Sequence, residues 1–148
     1  MALIGALCLC SFFLFTYKGH DLGDKVLTTI AAVSSLLIVA CPCAAAPVDY
    51  MGLFALPTRI SDIIHMVAAV ALFGSFALMT LTQFTKGTHK RRNAIYRACG
   101  AIMLVFMGLV GSSTIFGLPG YTTMICEAGM LWAFSIAWII KSGVFPKI

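Results

Sequence analysis

An all-α bundle of membrane-spanning helices is the fold this sequence predicts, and three observations predict it. Hydrophobic residues fill 61% of the 148 positions and charged residues only 10%, where soluble domains carry about a quarter charged residues. Mean hydropathy is +1.01. The apolar residues gather into five runs without period-2 alternation, which selects a polytopic helical bundle with five spans over a β-barrel. This excludes an ordinary soluble enzyme, a disordered chain and a nucleic-acid-binding module. The net charge of +5 sits in short stretches between the runs and forms no basic face for nucleic acid. One domain over 1–148 is the natural organisation.

The first span, 2–17, has about 16 residues, which reach about 24 Å, short of a hydrocarbon core of about 30 Å. No positive charge precedes it and Lys18 follows it, the reverse of a signal peptide. It reads as a membrane helix in a chain that starts inside a helix. The second span, 26–46, takes Asp24 as its cap, and Pro42 kinks or frays its end. The third, 60–84, carries Asp62 and His65 in its first turns. The stretch Lys86-Gly87-Thr88-His89-Lys90-Arg91-Arg92 separates it from the fourth, 94–118, with Thr88 as cap. The turn Pro119-Gly120 leads to the fifth, 122–140, capped by Thr122 or Thr123 and containing Glu127. In the loop 47–59, Met51, Leu53, Phe54 and Leu56 point to the headgroup region. Ala71 with Ser75, and Gly108 with Ser112, are small-xxx-small pairs that predict close helix contacts.

Alternation of the five helices puts nine of the ten Lys and Arg residues on one side and only Arg59 on the other. Lys and Arg are retained in the cytoplasm, so the N-terminus is expected outside and the C-terminus inside. Tyr17, Tyr96 and Trp138 then fall at the inner interface, Tyr50 and Tyr121 at the outer.

Asp62, His65 and Glu127 are costly in hydrocarbon, about 2.5–3.5 kcal/mol for an ionised group at a helix centre. Asp62 and His65 share a helix face, and Arg59 lies one turn earlier. Glu127 enters from the same outer side at similar depth. The four are expected either to form a charge-compensated packing network, Arg59 with Asp62 and His65 with Glu127, or to line an outward-facing polar pocket for a small ligand. Ser112, Ser113 and Thr114 stand near it, although such hydroxyls also bond their own helix. Cys41-Pro42-Cys43 offers two soft ligands, with Cys126 as a further sulfur, or a disulfide partner, on the same side. This gives a weak metal alternative against the ordinary reading of small apolar packing residues. No cofactor is expected.

Several stretches resemble a family of small bacterial multi-pass inner-membrane proteins of unknown function. They are the run Phe13 to Asp21 with Asp24, Ile64-His65 with Ala68 to Phe73, and Gln83 to Lys86. The run Arg92 to Met103 is the most distinctive, followed by Glu127 with Leu131 to Trp138. The resemblance implies six helices, of which this chain, shortened at its N-terminus, keeps five, and an inner-membrane location. It implies no activity, and Cys41 and Cys43 depart from the family pattern.

The leading functional expectation is a non-enzymatic envelope protein, with membrane lipids, a small ligand or a second copy of the chain as partners. A small proton-coupled transporter is the alternative, but it wants polar residues across the whole membrane, and the inner half reads as nearly all apolar. An intramembrane hydrolase wants more ligands or a nucleophile pair than this sequence has.

Overall fold

A computed structural model describes residues 2–19, 21–43 and 48–143. Among them are five helices and almost no sheet, the all-α bundle expected. They are α1 (Ala2–Thr16), α2 (Leu22–Ala40), α3 (Thr58–Leu78), α4 (Lys90–Phe116) and α5 (Gly120–Lys141). Four are long and apolar enough to cross a membrane, α3 being counted to Lys86, and α1 is a shorter apolar helix. The chain is a multi-pass membrane protein. It divides into two compact units, 1–75 and 76–148, with the boundary inside α3. The end of the second predicted span at 44–46, His20 and Lys147 lie outside the described residues.

In the first unit α1 packs on α2. Ala31 and Ala32 are fully buried, and small side chains let helix backbones approach in lipid. Ser11 Oγ on α1 donates to Ala32 O on α2 at 2.9 Å, and Ser35 Oγ on α2 donates to Leu7 O on α1 at 2.8 Å. These reciprocal bonds tie the short first helix down. The cap of α2 is Asp21, not Asp24. Its carboxylate accepts the Asp24 N–H at 2.9 Å, so the helix starts at Leu22, a turn earlier than the apolar run. It also stops earlier, at Ala40, with Pro42 just beyond the cap.

The loop that follows contains a two-residue hairpin, Tyr50 opposite Pro57 and Met51 opposite Leu56. Its turn presses on the end of α2. Gly52 has φ +79°, and a Cβ there would stand 2.5 Å from Ala40 O. Only glycine fits both demands. Leu53 and Phe54 project at 79% and 63% exposure.

In the second unit α4 and α5 form a helical hairpin. Gly117, at φ +63°, closes α4, and Leu118 N–H donates to Ser113 O at 2.9 Å. Helix α5 therefore begins at Gly120, with Pro119 rather than a threonine before it. Helix α4 begins at Lys90, after His89 rather than Thr88, so the basic stretch forms its first turn. Cys126, Met130, Ala133, Ala137 and Ile140 make the buried stripe of α5. The α3 continuation widens into a π turn, Met79–Gln83, and tightens into a 3₁₀ turn, Phe84–Lys86. Thr80, Thr82 and Thr85 each donate to the carbonyl four residues back, a competition with the helix ladder that distorts helices.

Aromatic rings fill this unit's core. Phe76 stacks on Phe134 at 3.8 Å, and Phe84 meets Tyr96 and Trp138 edge-on at 5.6 Å each. Tyr96 is buried at 3% exposure, so it is a core residue and not the interfacial anchor expected from its position. Tyr50 and Tyr121 are exposed.

Candidate functional site

The last carbonyls of a helix lack intrahelical partners, and three carbonyls at and just past the end of α2 are met from outside. Leu53 N–H donates to Ala40 O at 2.9 Å. Ser61 Oγ donates to Pro42 O at 3.0 Å, and His65 Nδ1 lies 2.8 Å from Cys41 O. Thr58 bonds the loop twice, its hydroxyl to Val48 O and its N–H to Asp49 O at 3.1 Å. Thr58, Ser61 and His65 are spaced i, i+3, i+7 and so form one face of α3. That face fastens the end of α2 and the loop to the start of α3.

The His65 bond fixes a protonation site. A carbonyl only accepts, so Nδ1 carries the hydrogen and Nε2 is left as the second functional atom of the ring. Asp62, half-buried, flanks the face one turn from His65, and Arg59 is exposed at the helix entrance. Three of the four expected pocket residues thus stand on the first two turns of α3. Glu127 belongs to the second unit, half-buried near the start of α5. Ser61 and Thr58 were not among the expected residues. Their signal was the polar i, i+3, i+7 spacing with His65, which a search for ionisable groups passes over.

Ser112 and Thr114 donate to Gly108 O and Val110 O at 2.8 and 3.0 Å, so they bond their own helix. Ser113 donates to Val110 O and also lies 3.2 Å from Thr123 Oγ1, linking α4 to α5. Of the residues of the metal alternative, Cys41 and Cys43 lie in the first unit and Cys126 in the second. None of the six cysteines forms a disulfide; Cys41 and Cys126 are buried and Cys43 is exposed. Among the described residues no three His, Cys, Asp or Glu side chains gather as ligands.

Buried polar groups also stand on the α3 continuation and at the start of α4. Thr80 is fully buried, and Gln83 Oε1 and Asn93 Oδ1 are buried acceptors without a partner among the described residues. The Asn93 amide orientation is fixed by its Nδ2, which donates to Gly87 O at 2.7 Å.

Compared with family models, with curated proteins and with solved structures, the chain finds no match.

Proposed function

We propose that the chain is a non-enzymatic protein of a bacterial inner membrane that holds a small ligand in a polar pocket opening to the outside. The observation that supports this best is the His65 ring, anchored by Nδ1 on Cys41 O. An anchored ring presents its other nitrogen at a set angle, the preorganisation that a binding site needs. Asp62 stands one turn before His65 on α3 and Arg59 one turn before that, so both signs of charge are carried on the first turns of this helix. The inclusion of Glu127 rests on sequence alone, from the depth that helix alternation gives it. The nine-to-one split of Lys and Arg supports an outside N-terminus and a cytoplasmic C-terminus. The family resemblance supports the inner membrane.

A thermal-shift screen of small polar metabolites against the full chain in detergent tests the pocket. A compound that stabilises the wild type but neither Asp62→Asn nor Glu127→Gln, with helicity unchanged, is the expected result. Variants that melt lower yet keep every ligand shift would reduce these residues to packing.

A proton-coupled transporter is the second reading. The π turn and the two unpartnered acceptors at Gln83 and Asn93 favour it, since π turns concentrate at functional sites. Proton uptake by liposomes carrying the wild-type chain separates it from the first.

A further inference from the structure

A cleft of about 760 Å³ lies between the end of α1 and the start of α2, lined by Tyr17, Lys18, Asp21, Lys25 and neighbouring threonines. A furrow of about 470 Å³ shares Leu22, Lys25 and Thr29 with it and continues along Val26 and Ile30. The two adjoin through those three residues, with the lysines and Asp21 at the helix end and Val26 and Ile30 along the flank of α2.

The cleft's own hydrogen-bond donors are largely committed. Thr16 donates to Phe12 O and Phe13 O, Thr28 to Asp24 O, and Thr29 to Lys25 O, all within their helices. The Asp21 carboxylate accepts the Asp24 N–H. Lys18 and Lys25 remain exposed, two ammonium groups at one mouth. Beside them Leu22, Val26 and Ile30, spaced i, i+4, i+8 from the start of α2, are 79%, 48% and 42% exposed. From Leu22 to Ile30 a helix rises about 12 Å, close to the half-thickness of a hydrocarbon core of about 30 Å.

We propose that this depression seats one glycerophospholipid, with its phosphate between Lys18 and Lys25 and an acyl chain along Leu22, Val26 and Ile30. A free phosphate would use only the cleft, and an apolar partner only the furrow. The continuity of the two is what a molecule with an anionic head and an apolar tail requires. The site stands at the opposite end of α2 from His65 and is independent of the pocket reading.

Native mass spectrometry of the full chain in detergent tests it, with dioctanoyl-phosphatidylglycerol, glycerol phosphate and inorganic phosphate as probes. The expected result is one saturable adduct with the lipid and none with either soluble phosphate at equal concentration. Lys18→Gln and Lys25→Gln should each weaken it about fivefold, and together about 25-fold. Lys90→Gln with Arg91→Gln should leave it unchanged. The lysines are exposed, so the double variant keeps its helicity by circular dichroism. Ile30→Asn, which leaves both charges, should also weaken the lipid. Undiminished lipid binding to the double lysine variant overturns the proposal. So does equal binding of the soluble phosphates, or a lipid-free dimer that Ile30→Asn dissociates.

Discussion

Ser11, Ser35 and Ser61 each donate to a backbone carbonyl of another segment, at 2.9, 2.8 and 3.0 Å. In lipid such bonds are worth about 0.6 kcal/mol each on average. They fix which faces of α1, α2 and α3 meet their neighbours. Tyr17, just past the end of α1, shows how closely the first turn is built. Burial pushes its phenol above the ordinary value of 10.0, and the charge of Asp24 pushes it further. A Cβ on Gly19 would stand 2.2 Å from Asp24 Cβ, so glycine there lets Asp24 close in. A raised phenol favours the neutral form in the folded state. Its stability contribution is complete below pH about 10 and is lost as pH rises through the folded value. Tyr17→Phe should therefore lessen the alkaline loss of melting temperature above pH about 10. Equal alkaline slopes for the two proteins would show that Tyr17 contributes none of it. At this scale the sequence was legible in part. Asp62 and His65 stood out because ionisable groups are rare in apolar runs. The serines did not, because their hydropathy is near neutral and their partners are backbone atoms far along the chain.

Helices were legible wherever apolar length decides, and their ends were not. The apolar run of α2 begins at Val26, but Asp21 satisfies a free N–H at the start, so the helix begins at Leu22. In α4 and α5 the close approaches also lay elsewhere than the Gly108–Ser112 spacing indicated. Gly108 is exposed with open space around it, whereas a Cβ on Gly129 would stand 2.5 Å from the Phe106 ring and one on Gly100 would stand 2.5 Å from Leu81. A glycine's spacing along one helix does not reveal which large side chain stands opposite. The contrast gives a prediction within α4 and α5. Gly129→Ala should destabilise the chain by about 1–3 kcal/mol through overpacking against a ring. Gly108→Ala should leave it unchanged or stabilise it by up to about 1 kcal/mol through helix propensity. Chemical denaturation in mixed micelles measures both. A Gly129→Ala variant as stable as Gly108→Ala would contradict the packing at Phe106.

For the whole molecule, composition had already selected the class. Leu9, Val67, Val105, Ile125 and Trp132 are each at least 60% exposed, an arrangement that suits lipid as the surrounding solvent and would be costly in water. The division into two units at Ser75 was not legible, since the apolar run of α3 continues through it without a change in composition. The pocket reading joins orientation to chemistry: the end of α3 bearing Arg59, Asp62 and His65 must face outside. Labelling of Arg59→Cys in intact cells tests that most directly. The background should have all six native cysteines replaced, and the reagent should be a membrane-impermeant maleimide. The account predicts strong labelling before permeabilisation. Labelling only after the membrane is permeabilised would contradict it.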